Sequence, residues 1–444
     1  MRVVIVGGGE VGFNAARMLS GEGNDVVLID QDEALVERAT EGLDALVMQG
    51  NGASPRVLRE AGVREASLLV AATGSDEANI IACLAAKAQG VERTAARIHN
   101  EDYYDPREPF TQETLGIDFV IHTEQVATEE IRAALLVPGA IDVETFAGGR
   151  VQVVEVILDE DSPAVGRAVR DVDLPKRSLV LGGVRRGKAL MSRGDTVLEA
   201  KDHVFLIGEA RRVPDLVNAV ATKAEPVGDV TIFGGGRIGL RLALALEESG
   251  IAVKVIEKDE ARARHVSARL KRGLVLHDDG VSRDFLLQER VDRTDAFVAV
   301  TGDDRANLLA AMYARQLGAG LTIAGLGRGE FAPLADALGV DITVSPRLLA
   351  AGAISRFVRQ GNVVAVTLLE SGARMMEMRV PERSRIAGRP LSEAGFPKGA
   401  IVGMVVRNGE TFIPSGKDVL EPGDGAVVFT VEETAQKVER LFTT

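Results

Sequence analysis

A buried-strand pattern that runs straight into G-x-G-x-x-G occurs twice in this chain, and no other feature constrains its fold as strongly. The first copy is Arg2-Val3-Val4-Ile5-Val6 followed by Gly7-Gly8-Gly9-Glu10-Val11-Gly12. The second is Asp229-Val230-Thr231-Ile232-Phe233 followed by Gly234-Gly235-Gly236-Arg237-Ile238-Gly239. Each leads into an apolar helix and a second apolar strand ending in an acid, Asp30 or Glu257, 23 positions after the first glycine in both copies (7 to 30 and 234 to 257). The first glycine permits the tight turn, the second lets backbone N–H groups approach a pyrophosphate, and the third lets helix and strand pack closely. Phosphates then sit at a helix N-terminus, where unpaired N–H groups and the dipole favour anions. The acid accepts hydrogen bonds from the ribose hydroxyls and its charge repels a 2′-phosphate, so NAD(H), ATP or ADP fit better than NADP(H).

The similarity between halves continues beyond the fingerprints. Ser67 to Asp76 matches Asp295 to Asp304 at an offset of 228, and later Gly166 aligns with Gly388, Pro175 with Pro397 and Asp202 with Asp424 at an offset of 222. The difference comes mostly from extra residues around Tyr103-Tyr104-Asp105-Pro106. Apolar strands alternating with helical patterns over 1–122 and 225–344 predict βαβ units and a parallel sheet in each half. Glu124 to Leu136 and Pro346 to Val358 read as connecting helices, placed within 123–137 and 345–359. The segments 138–224 and 360–444 carry short strands separated by turn signals: Val151 to Leu158, Ser178 to Arg185 and His203 to Ile207, with counterparts expected at Val363 to Leu369, Ala400 to Val406 and Ala426 to Thr430. The fold class is therefore α/β: two Rossmann-like, doubly wound parallel-sheet domains, each followed by a small α+β lobe, made by internal duplication.

Ligands of open α/β sheets lie at the carboxyl ends of strands. Gly50-Asn51-Gly52 follows one such strand, Ala72-Thr73-Gly74 another, and Arg97 ends a third. Small residues there leave room for flat rings, Asn51 and Thr73 offer hydrogen bonds, and Arg97 faces either ligand phosphate or ribose; simple turn chemistry and a surface salt bridge are the competing roles. The second half has Asp279 and Thr301 at the Asn51 and Thr73 positions, but Asp278 replaces Gly50 and Gly325 replaces Arg97. An added anion and a lost cation both weaken anion binding, and Arg237, where the first half has Glu10, is expected to offset this partly.

The formal charge of −13 argues against nucleic acid as a partner, because affinity there comes mainly from Lys and Arg. One cysteine, Cys83, allows no internal disulfide and fits a reducing compartment. No apolar run approaches the roughly 18 residues of a membrane span, and the glycines at 7–9 interrupt the first apolar run before a signal sequence develops, so a cytoplasmic protein without membrane insertion is expected. Catalytic equipment is not evident. His99, His122, His203, His265 and His277 form no cluster at metal spacing, no Tyr precedes a Lys by four positions, and Asp159-Glu160-Asp161 reads as a solvated turn; neither catalytic nor metal-ligating residues are assigned.

A Rossmann unit followed by a lobe of about 80 residues, the pair repeated once, resembles the RCK (also called KTN) regulatory modules of potassium channels and transporters, and over the whole chain the tandem TrkA family of bacterial Trk potassium uptake systems. The resemblance rests on Gly7, Gly9, Gly12 and Asp30, on Gly50-Asn51-Gly52, Ala72-Thr73 and Arg97, and on the repeated fingerprint with Glu257. It implies NAD(H) or ATP/ADP in the Rossmann part. It also implies a homo-oligomeric ring, dimer or tetramer, on the cytoplasmic face of the inner membrane beneath an integral membrane potassium-translocating subunit, and regulation rather than enzymatic turnover. Two other classes stay open, an NAD-dependent dehydrogenase and a soluble nucleotide sensor with a non-channel partner.

Overall fold

The computed structural model describes residues 1–103, 114–186, 188–222, 226–358, 363–368 and 373–442. The first half begins with β1 (Arg2–Val6), α1 (Glu10–Gly21), β2 (Asp25–Asp30), α2 (Glu33–Gly42), β3 (Leu46–Gln49) and α3 (Pro55–Glu60). It continues through β4 (Leu68–Ala71), α4 (Asp76–Lys87), β5 (Arg93–Arg97), β6 (Phe119–Ile121) and the connecting helix α5 (Thr123–Leu136). The six strands form one parallel sheet in the order β3-β2-β1-β4-β5-β6, the doubly wound arrangement. Because helices cover both faces, strand residues of either parity are buried, which is why β1 and β2 read as continuous apolar runs. Val4, Val6, Val27 and Ile29 pack on one face with α3 and α4 residues, and Val3, Ile5, Val26 and Leu28 on the other with α1.

The first small lobe comprises β7 (Asp142–Phe146), β8 (Val151–Ile157), β9 (Ser178–Arg185), β10 (Lys188–Met191), β11 (His203–Glu209) and α6 (Val213–Val220). Its sheet is antiparallel, in the order β10-β9-β11-β8-β7. The second half repeats the parallel sheet with β12 (Asp229–Phe233), α7 (Arg237–Glu248), β13 (Ala252–Glu257), α8 (Glu260–Arg269), β14 (Leu274–His277) and α9 (Arg283–Gln288). β15 (Ala296–Ala299), α10 (Asp304–Leu317), β16 (Leu321–Gly325), α11 (Ala332–Ala337), β17 (Ile342–Val344) and the connecting helix α12 (Pro346–Val358) complete it. Its strand order, β14-β13-β12-β15-β16-β17, is the same as in the first half. The second small lobe follows with β18 (Val363–Leu368), β19 (Ala373–Arg379), β20 (Ala400–Arg407), β21 (Glu410–Phe412), β22 (Gly425–Val431) and α13 (Glu432–Leu441), in a sheet ordered β18-β19-β22-β20-β21.

The sequence pairing of Val151 to Leu158 with Val363 to Leu369 is corrected here. In the sheet order β8 corresponds to β19, and β18 corresponds to β7. β19, Ala-Arg-Met-Met-Glu-Met-Arg, was hidden because its charged residues interrupt the apolar run. The short edge strands β10 and β21 carry the exposed Lys188 and Glu410, and edge positions give little hydrophobic signal. Beyond Tyr103, the expected insertion lies outside the described residues, as do the boundaries placed at 225 and 360 and position 369.

The two Rossmann sheets belong to one compact unit, Met1–Arg132 with Gly228–Val358, and the two small lobes to another. In the first unit α12 lies against α1: Ala350, Ala351, Ile354 and Phe357 enter the same core as Ala15, Ala16 and Leu19. Phe357 stacks on Phe119 with centroids 4.8 Å apart, Arg93 lies 4.1 Å over the Phe357 ring, and Ser355 Oγ donates to Glu22 at 2.7 Å. In the second unit the two antiparallel sheets share a core that includes Phe146, Phe205, Met375 and Phe429. At its edge Glu209 accepts from Arg177 at 2.8 Å and from Thr411 of the other lobe at 2.8 Å. Among the described residues no helix is long and apolar enough to cross a membrane.

Candidate functional site

The first fingerprint forms a strand-to-helix turn in which each glycine has a separate geometric reason. Gly7 has φ +106°, and a Cβ there would lie 2.9 Å from the carbonyl of Ala72 and from the Thr73 nitrogen. A Cβ on Gly12 would lie 1.9 Å from the Gly7 carbonyl oxygen, so α1 can approach the turn only without one. Gly9 differs: its φ is −63° and a Cβ would meet nothing within 4 Å. It is the N-cap of α1 and makes no side-chain cap, which leaves first-turn N–H groups for another acceptor. Asp30, at the end of β2, accepts from Gly8 N at 2.5 Å through one oxygen and from Asp32 N at 2.8 Å through the other. The acid is thereby held against the turn with lone pairs to spare.

These residues open onto a cavity of about 600 Å³. Gly7, Gly9, Glu10, Val11, Asp30, Asn51, Gly52, Thr73, Gly74 and Arg97 line it. Gly8 and Gly12 shape its wall through the contacts just given. Sequence reasoning missed Leu35 and Arg38 on α2, which also line the cavity, and Arg347 at the start of α12. The first two were findable, lying one turn apart on the helix that follows Asp30. Arg347 carried no local signal, because only the packing of α12 on the first half brings it there.

Asn79, fully buried on α4, ties two of the strand ends together. Its Oδ1 accepts from Thr73 N at 2.9 Å and from Thr73 Oγ1 at 2.7 Å, and its Nδ2 donates to the Arg97 carbonyl at 2.8 Å. The Arg97 guanidinium donates from Nε to Thr123 Oγ1 at 3.2 Å. Burial pulls its pKa down; Glu124 opposes this, while Arg347 and Arg237 add to it. Beside it Asp76 accepts from the backbone N–H groups of His99 and Asn100 at 2.9 and 2.8 Å and contacts His99 Nδ1 at 2.8 Å. Burial pushes the Asp76 carboxyl up, but these hydrogen bonds outweigh it and hold the group below its ordinary range. Cys83 is enclosed on α4 beneath the sheet, and burial pushes its thiol up to about 12, which makes it a packing residue.

The second fingerprint repeats the turn. Gly234 has φ +111°, a Cβ on Gly239 would lie 1.8 Å from the Gly234 oxygen, and a Cβ on Gly236 would meet nothing within 4 Å. Glu257 accepts from Gly235 N at 2.8 Å and from Asp259 N at 2.9 Å, and Thr301 is bound to Asn307 as Thr73 is to Asn79. Ile238 is half-buried and Asp279 is exposed. The surroundings differ more than the sequence comparison suggested. Phe233 stands where the first half has Val6: it closes on Gly280 as Val6 closes on Gly52, but with a ring in place of a small branched side chain. Arg237 points away from the service expected of it: its Nε lies 3.2 Å from Glu124 of the first half, and it lines a neighbouring cavity with Arg97, His99 and Tyr103.

Two doubly wound sheets, each with a glycine turn, a clamped acid and an attached antiparallel lobe, define a tandem Rossmann-fold protein. The TrkA-N domain model matches residues 3–123 and 230–346, and the TrkA-C domain model matches 153–221 and 375–443. The chain belongs to the TrkA family of Trk potassium uptake proteins. It is 36% identical to Trk system potassium uptake protein TrkA homolog 1 of Methanosarcina mazei over 100% of both chains. It is 34% identical to Trk system potassium uptake protein TrkA of Halomonas elongata, over 100% of this chain and 98% of that one. In fold it is similar to the GsuK channel bound to NAD, with TM-score 0.63, 18% identity, and coverage of 99% of this chain and 78% of that one. The GsuK RCK domain gives TM-score 0.62 with 94% of that chain covered.

Proposed function

We propose that this chain is the nucleotide-responsive regulatory subunit of a potassium uptake system, acting without turnover on a membrane-embedded potassium-translocating partner. The observation that carries the reading is the first cavity: a glycine turn with a gap above Gly9, an uncapped helix N-terminus and an acid clamped at the ribose position. NAD(H), ATP or ADP fit it. First-turn N–H groups after Gly9 would hold the pyrophosphate, Asp30 the ribose hydroxyls, and Asn51, Gly52, Thr73, Gly74 and Arg97 the remaining groups. Gly234 to Gly239, Glu257, Asp279 and Thr301 form the corresponding second site. The names of the relatives and the NAD bound to the GsuK channel support the same assignment.

Regulation needs no catalytic group. A ligand that binds two arrangements of the modules unequally shifts their populations by that difference alone. The net charge of −13 suits a partner whose cytoplasmic loops are rich in Lys and Arg. The same reading places the chain peripherally on the cytoplasmic face of the inner membrane, in a homo-oligomeric ring, and divides it at 122, 137, 224, 344 and 359. The test is deletion of the chain in its host, with potassium uptake measured at controlled nucleotide levels and co-purification from detergent-solubilised membranes. Lost or deregulated uptake with the membrane partner still inserted supports the reading. Unchanged uptake kinetics and no membrane partner overturn it.

A further inference from the structure

We propose that Glu10 determines which nucleotides the first site accepts, by holding Arg38 away from the ribose 2′ position. The inference rests on the nucleotide reading above and deepens it: the site takes ligands with a free 2′-hydroxyl and excludes 2′-phosphorylated ones because of a side-chain lock, in addition to the charge of Asp30.

Arg38 is a cavity residue at the Asp30 end. It sits one turn after Leu35 on α2, and both line the cavity with Asp30 and Gln31. A guanidinium close to the end of the second strand is the feature that lets a Rossmann site accept a 2′-phosphate, through short charge-assisted bonds. In this chain that guanidinium is already engaged. Its Nη1 donates to Glu10 Oε1 at 2.5 Å, and its Cζ lies 4.3 Å over the Phe13 ring. Glu10 is the first residue of α1, where the dipole stabilises a carboxylate, and its side chain is only 19% exposed. The Glu10 side chain is therefore partly desolvated and fixed, and Arg38 is its hydrogen-bonded partner.

Asp30 offers no alternative route. Both of its oxygens are held by backbone N–H groups, of Gly8 and Asp32, so it cannot turn aside to admit a phosphate. With Arg38 retained by Glu10, a 2′-phosphate meets the Asp30 charge with no guanidinium to answer it. Once Glu10 loses its charge, Arg38 is a long, flexible donor already at the right end of the cavity. The second half lacks the device: Arg237 and the exposed His265 occupy the equivalent positions, and Arg237 is paired with Glu124.

The test measures NADH and NADPH affinities on the full chain for the unmutated protein, Glu10→Gln, Arg38→Gln and the double variant. Thermal unfolding verifies that each variant is folded. Glu10→Gln is expected to tighten NADPH relative to NADH by about tenfold, and the double variant to lose that gain. An NADH/NADPH ratio within about twofold of the unmutated value in Glu10→Gln overturns the lock while leaving the site standing. A gain that persists in the double variant also overturns it, because the effect would then belong to the charge of Glu10 alone. Absence of both NADH and ADP binding in the unmutated protein overturns the nucleotide site and the lock together.

Discussion

Leucine at Gly9 and leucine at Gly236 should have unequal consequences, although the two turns are nearly superimposable in local geometry. At both positions φ is ordinary for an L residue, −63° and −68°, and a Cβ meets nothing within 4 Å. Substitution should therefore leave folding stability within about 1 kcal/mol, with reduced unfolded-state entropy set against a poorer N-cap. It should, however, fill the space above the turn. At an effective dielectric of about 20, a unit charge about 5 Å from a phosphate is worth about 3 kcal/mol, falling to about 1 kcal/mol where water and salt reach it. Arg97 and Arg347 line the first cavity, whereas the second half has Gly325 at the Arg97 position and the half-buried Asp278 at that of Gly50. Arg237, which the sequence offered as compensation, is paired with Glu124. Two such differences, each discounted for solvent, favour the first site by about 2 kcal/mol, or about thirtyfold. Calorimetry with NADH and ADP at physiological salt should show the tighter site abolished in Gly9→Leu and retained in Gly236→Leu. The opposite pattern would refute the ranking and the electrostatic reasoning behind it.

Three other outcomes are expected. Asp30→Ala should weaken NADH and ATP alike by about 1.5–3 kcal/mol, ten- to a hundredfold, and narrow discrimination against NADPH, as read by titration. Asn79→Leu leaves Thr73 N–H and the Arg97 carbonyl without their partner, so denaturant unfolding should register a loss of about 2–4 kcal/mol accompanied by weaker nucleotide binding. In the small lobes, hydrogen bonds from Arg177 and then Thr411 hold Glu209 at about 2, below its usual 4.5, against the opposing effect of burial. Its contribution to stability is complete above pH 4.5 and lost as pH falls through about 2; acid unfolding of the unmutated protein should show this slope, and Glu209→Gln should flatten it.

The parts of the fold with a strong period were legible in the sequence. β1, β2, β4 and their second-half equivalents are apolar on both faces because helices cover both faces, and the connecting helices begin and end close to where the pattern put them. The glycine roles were legible too, since a positive φ at Gly7 and the approach of α1 at Gly12 follow from chain geometry. What escaped notice depended on distant packing. Arg347 reaches the first cavity only because α12 crosses to α1, and Arg237 finds Glu124 because the start of α7 meets the start of α5. Asn79 was visible as a repeated residue, but its job of joining two strand ends is a matter of three-dimensional register. Phe233 was read as part of a strand, when its bulk against Gly280 changes the neighbourhood of the second turn.

The seating of α12 on α1 means that the chain's two halves are not two proteins on a string. Had the unit remained a single copy meeting its twin, every substitution would have appeared in both partners at once, and a charge lost from one nucleotide pocket would have been lost from the other. Joined in one polypeptide, the copies face each other at fixed one-to-one ratio while inheriting changes separately. Glu10 aligned with Arg237, Arg97 with Gly325 and Val6 with Phe233 are the record of that freedom: one fold kept in common, with the surroundings of its two glycine turns free to diverge.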